Sequence, residues 1–225
     1  MAEKKIVVVQ LSGGNDYLNC VIPYNNPDYV DNRPNVRITE DEVIPIGNGL
    51  GMNPAMAPIK DLYDQGKVAV VHGVGYPIPN RSHFRSMDIW HTAEPTKVGN
   101  EGWLGNTINQ LHPQHDNVVA AVNFGSGLPR ALVSHGAPVA SVTDLETYGL
   151  MSHMGDTSQR DEALQAFRDM YTQALGSGPV MDYLSQTGLD ALKGADILGT
   201  VTEKYSSDVE YATNSFAKAM KGAAQ

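Results

Sequence analysis

The run Lys5-Ile6-Val7-Val8-Val9-Gln10-Leu11 constrains the fold of this chain more than any other stretch. Its apolar residues are continuous rather than alternating, the pattern of a strand buried on both faces of a parallel sheet. It leads directly into Ser12-Gly13-Gly14-Asn15-Asp16. Two glycines permit a sharp turn, so Asp16 is expected just beyond the carboxyl end of that strand, the edge where α/β sheets bind ligands. A second apolar run, Val68-Ala69-Val70-Val71, and a loop through His72-Gly73-Val74-Gly75-Tyr76-Pro77 precede Asn80-Arg81-Ser82-His83-Phe84. The second run reads as another strand and residues 82–91 as a short helix. Ser82 then sits where backbone N–H groups lack intrahelical acceptors and the helix dipole is positive. Two readings are open for it: a helix N-cap, or a nucleophile positioned to attack an anionic centre.

The rest of the chain reads as alternating elements. The Pro-, Asn- and Asp-rich stretch from Asn25 to Pro45 predicts a long surface excursion, and Pro54–Gln65 a helix closed by Gly66. The β-excursion-α-β order calls for a right-handed crossover. Residues 118–122 and 138–142 predict two further strands, the first followed by the turn Gly125-Ser126-Gly127. Helical spacing predicts helices over 158–175, 179–192 and 201–222, so residues 155–225 are expected to be mainly helical within one α/β domain spanning 1–225. The final helix reads as uncapped at Gln225, which points to the N-terminal part of a longer protein.

Composition excludes several classes. A formal net charge of −9 argues against general nucleic-acid binding, which needs Lys and Arg to neutralise phosphates. The lone Cys20 excludes an intrachain disulfide framework and a thiolate cluster; it reads as a small buried hydrophobe. No apolar run is long enough to span a membrane. Residues 1–5 lead straight into the first predicted strand without an apolar signal region, so the chain reads as cytoplasmic, or as exported after loss of a signal. Gly73-Val74-Gly75 lacks the third glycine of a dinucleotide fingerprint, because Ile78 stands in its place. His112-Pro113-Gln114-His115-Asp116 lacks the i, i+4 spacing of helical zinc ligands and reads as a surface loop. His72, His91, His135 and His153 are isolated in the sequence.

Four segments together carry a resemblance: Val7–Asp16, Val21-Ile22-Pro23-Tyr24, Met52-Asn53-Pro54-Ala55-Met56 and Asn80-Arg81-Ser82-His83-Phe84. In this order they resemble the domain-of-unknown-function 1501 family, a sulfatase-like family of the alkaline phosphatase superfamily, over roughly residues 5–135. The resemblance implies a three-layer α/β sandwich with a mostly parallel sheet. It also implies a metal-dependent hydrolase or transferase acting on small anionic phosphate or sulfate esters. Ser82 is then the nucleophile, Asp16 a ligand for a divalent metal, with zinc or manganese expected, and His83 a second candidate ligand. Arg81, Arg85, Asn80 and Asn15 are the candidate substrate-binding residues, the arginines through fork-like pairing with an oxyanion. Adjacent residues on a helix do not face each other, which favours a structural or positioning role for His83. A serine at position 82 argues against formylglycine chemistry there. The competing expectation is a non-catalytic, sulfatase-like binding or assembly component.

Overall fold

The computed structural model describes residues 5–11, 15–114, 116–125, 127–145, 148–151 and 154–225. The fold is mixed α/β with a small parallel sheet. The chain divides into two compact units, residues 1–75 and 76–225. Among the described residues no helix is long and apolar enough to cross a membrane.

The first unit is organised by a short antiparallel sheet. Strands β1 (Val21–Ile22), β2 (Ile44–Gly47) and β3 (Leu50–Met52) pair in the order β1-β3-β2. The β2–β3 hairpin turns through Gly47, Asn48 and Gly49, all with positive φ, at 92°, 53° and 71°. Glycine and asparagine are the residues that occupy such backbone at least cost. Helix α1 (Pro27–Asn32) starts with proline at its first turn, and the Asn26 side chain accepts a hydrogen bond from the Asp28 amide at 2.8 Å. Its Tyr29 is buried with Ile22 and Val43 as the unit's core. The Tyr29 hydroxyl donates to Asn19 Oδ1 at 2.8 Å and accepts from the Ile38 amide at 2.9 Å, so the buried phenol is fully satisfied. Helix α2 (Ala57–Asp64) follows a 3-10 turn capped by Asn53, and Gly66 ends it at φ 70°.

Two expectations fail in this unit. Residues 5–11 are not a buried strand: no strand is formed there, and Ile6 is 82% exposed. Residues 68–71 likewise form no strand, with Val71 70% exposed. A strand apolar on both sides needs neighbouring strands and a covering layer on each face. The sheet of this unit is completed by residues 21–52, and neither run joins it. The predicted turn at Ser12-Gly13-Gly14 lies outside the described residues. The stretch from Asn25 to Pro45, expected as a long surface excursion, holds α1 and the start of β2.

The second unit is built around a parallel pair, β4 (Ala121–Phe124) and β5 (Val139–Val142), in register from Ala121 opposite Val139 to Phe124 opposite Val142. The predicted strand at 138–142 matches β5. The one predicted at 118–122 is displaced toward the C-terminus, because pairing with β5 selects 121–124. Burial alternates along β5, with Ala140 and Val142 facing a core that includes Leu145 and Leu198. Helices α3 (His83–Thr92) and α4 (Trp103–Leu111) precede the sheet. The backbone at Gly102, the N-cap of α4, lies against residues 130–133, and its amide donates to the Val133 carbonyl at 2.7 Å. A Cβ at Gly102 would come within 2.1 Å of the Arg130 and Ala131 carbonyl oxygens.

Four further helices complete the unit: α5 (Thr157–Ala174), α6 (Pro179–Gly199), α7 (Val201–Lys204) and α8 (Ser215–Ala224). Residues 155–225 are thus mainly helical. The single helix predicted over 201–222 is interrupted, because Asn214 caps a new start by accepting from the Ala217 amide at 2.8 Å. Helices α5 and α6 meet where the Tyr171 ring lies against Gly188. Ser185 of α6 is fully buried, and its hydroxyl has no partner among the described residues.

Gly102→Ala is expected to destabilise the protein by roughly 3 kcal/mol or more, because the clash is with backbone that cannot rotate away. Ser185→Ala is expected to be neutral or to stabilise by about 1 kcal/mol, since it removes an unpaired buried hydroxyl. Chemical denaturation of the two variants beside the parent chain checks both signs.

Candidate functional site

The candidate nucleophile lies at the start of α3, in the second unit. Residues 79–82 approach the helix as an exposed loop whose own hydrogen bonds shape it. The Asn80 amide donates to the Tyr76 hydroxyl at 3.1 Å, and the Ser82 amide donates to Asn80 Oδ1 at 2.8 Å. The Ser86 hydroxyl reaches back to the Asn80 carbonyl at 2.8 Å. Hydrogen bonding by Ser86, then by the Asn80 amide, holds the Tyr76 phenol below its ordinary range. Ser82 is the N-cap, with its Oγ accepting from the Arg85 amide at the long distance of 3.4 Å. That weak contact leaves the hydroxyl exposed and able to engage a ligand.

Arg81 and His83 flank Ser82 and are both exposed. Arg85 has a different task. Its Nη2 donates to the carbonyls of Glu94, Pro95 and Lys97 at 3.0, 3.4 and 2.6 Å. The guanidinium therefore closes the turn after α3, where Ala93 takes a left-handed φ of 57°. Asn80 is likewise engaged in ordering the helix entry rather than presented to a ligand.

Asp16 and Asn15 belong to the first unit, at the entry to the 3-10 turn Tyr17–Asn19. The Asp16 carboxylate is ion-paired with Arg33, whose guanidinium also lies 5.7 Å from the centre of the Tyr29 ring. Asn15 Oδ1 accepts from Cys20 Sγ at 3.1 Å. The Tyr17 hydroxyl is hydrogen-bonded to His72 Nδ1, and the two rings meet edge-on. His72 stands isolated in the sequence, where a lone histidine carries no spacing signal. The signal that would have found it is positional: His72 follows the second apolar run as Asp16 follows the first.

The described residues form no metal site as they stand. A carboxylate already held by a guanidinium has its charge met, and among the described residues no group of three or more His, Cys, Asp or Glu side chains is placed to hold an ion. His115 and His153 lie outside the described residues. Comparison of the chain with family models, with curated proteins and with solved structures gave no match.

Arg85→Ala removes three charge-assisted hydrogen bonds and is expected to cost about 2 kcal/mol. Asp16→Ala breaks a partly exposed pair and is expected to cost less than about 1 kcal/mol. Paired thermal melts of these variants should preserve that ranking.

Proposed function

We propose that this chain carries the nucleophile-bearing part of a sulfatase-like hydrolase or transferase acting on phosphate or sulfate esters. The three-layer, mostly parallel sandwich of the alkaline phosphatase superfamily is the fold that goes with this reading. The supporting observation is the exposed Ser82 hydroxyl at the first turn of a ten-residue helix, held there by the Asn80 turn. In the reaction Ser82 Oγ forms a bond to phosphorus or sulfur, and the bond to the ester oxygen breaks. The hydroxyl proton ends on the departing alcohol, and water then releases the phospho- or sulfoserine. Amides of the first helical turn and the Arg81 guanidinium supply positive potential to the non-bridging oxygens. A divalent metal, zinc or manganese, belongs to this reading through the resemblance alone, and no step above runs through it.

A second reading is a non-catalytic binding or assembly component. The observation favouring it is apolar exposure beside Ser82: Ile78 is 93% and Phe84 89% exposed. Large apolar side chains so placed are more usual at a protein contact than at the mouth of a pocket for a small anion.

Purified without chelators, the protein is expected to hydrolyse a phosphate or sulfate ester panel, with Ser82→Ala lowering kcat by at least about a thousandfold. A near-stoichiometric divalent ion lost on Asp16→Ala would assign the metal. No turnover on any ester, together with no bound metal, would discard the hydrolase in favour of the binding role.

A further inference from the structure

A groove opens at the carboxyl end of β5, within the second unit. Two adjoining cavities of about 170 and about 290 Å³ share Tyr148, Gly149, Leu150 and Ala195 and so form one depression. Thr143 and Asp144, which directly follow β5, line its wider part, while Leu164 and Leu192 line the narrower. Loops diverge beyond the carboxyl ends of parallel strands, which is why α/β sheets collect ligands there.

Arg160 and Asp196 face the narrower cavity. Arg160 is half-buried, and its Nε donates to the Leu150 carbonyl at 3.4 Å, which orients the guanidinium. Its Nη atoms have no hydrogen-bond or ion-pair partner among the described residues. Glycine at 149 spares Nη2 a tight contact, since a Cβ built there would stand 3.3 Å from it. Asp196, exposed on α6, also has no ion-pair partner among the described residues, and the two charges do not pair with each other. A partly desolvated guanidinium without an anion is unfavourable, and a ligand that supplies the anion relieves that cost. A phosphate or sulfate dianion would satisfy Arg160 but would meet the like charge of Asp196. A zwitterion answers both charges at once.

We infer that this groove binds a small zwitterion of the free α-amino acid class, its carboxylate on Arg160 and its ammonium on Asp196. The narrower cavity holds a molecule of about six to nine non-hydrogen atoms, given that one of about 150 Å³ accepts benzene. This site is independent of Ser82 and of the ester chemistry proposed above.

The test is titration of the isotopically labelled chain, followed by amide NMR, with L-alanine, L-threonine and L-leucine as probes. Acetate, methylamine and inorganic phosphate are the comparison ligands. Saturable shifts at Gly149, Leu150 and Ala195 with at least one amino acid are expected, at a Kd of about 1 mM or below. Acetate and methylamine, each carrying half of the recognition, should bind at least about tenfold more weakly. Arg160→Gln and Asp196→Asn should each weaken amino-acid binding by about tenfold or more. Asp196 is exposed and makes no structural contact among those described, so Asp196→Asn decides the matter if Arg160→Gln does not fold. No saturable shift with any amino acid, equal binding by the folded variants, or preference for phosphate would overturn the proposal.

Discussion

Parallel pairing of β4 with β5 is the constraint on which the second unit depends. Once Ala121–Phe124 and Val139–Val142 are in register, Ala140 and Val142 point to one face and require cover. Leu198 of α6 and Leu145 supply it, and Phe124 takes up the close approach of α8 at Gly222. The same pairing defines the carboxyl edge. Asn123 and Ser141 pin the Gly127 carbonyl there, through bonds of 2.8 and 2.7 Å, so the loop after β4 is tied across both strands. The groove beyond β5 is therefore a consequence of strand direction rather than an incidental surface hollow.

The first unit solves the same burial problem with fewer residues and a different motif. Its core depends on one aromatic side chain, Tyr29, whose ring is buried and whose hydroxyl joins Asn19 to the Ile38 backbone. Around it lies an antiparallel hairpin closed by three consecutive positive-φ residues. Arg33 adds a guanidinium near the Tyr29 ring and turns it toward Asp16. A residue expected to ligate a metal is thereby tied into the scaffold, and its charge is balanced locally.

At the start of α3, capping and catalysis make overlapping demands on one residue. An N-cap serine and a nucleophilic serine both require an exposed hydroxyl where helix amides are unsatisfied. The 3.4 Å contact from the Arg85 amide is weak enough to leave both roles open to Ser82. The arginines beside it are distinguished by what they touch. Arg81 remains on the surface, while Arg85 is consumed by three carbonyls that the sequence gives no means of locating.

Local signals were legible wherever the cause is local. The Asn53-Pro54 and Asn80–Ser82 starts, the stop at Gly66, and β5 all follow from side chains that satisfy their own backbone or repeat along one face. The site residues were legible as chemical types, Ser82 at a helix start and Asp16 after an apolar run, but their partners were not. Apolar runs 5–11 and 68–71 have the composition of buried strands, yet composition does not provide the neighbours a strand must pair with, and neither run forms a strand. The ion pair of Asp16, the carbonyls around Arg85 and the meeting of Tyr17 with His72 join residues distant in the chain. By itself the sequence determined several helix starts, at Pro54, Ser82 and Pro179, and which residues carry reactive groups, because those properties are set within a turn of the chain. Only the tertiary structure decided which charges are already answered, because that depends on which distant backbone and side-chain atoms folding brings within reach.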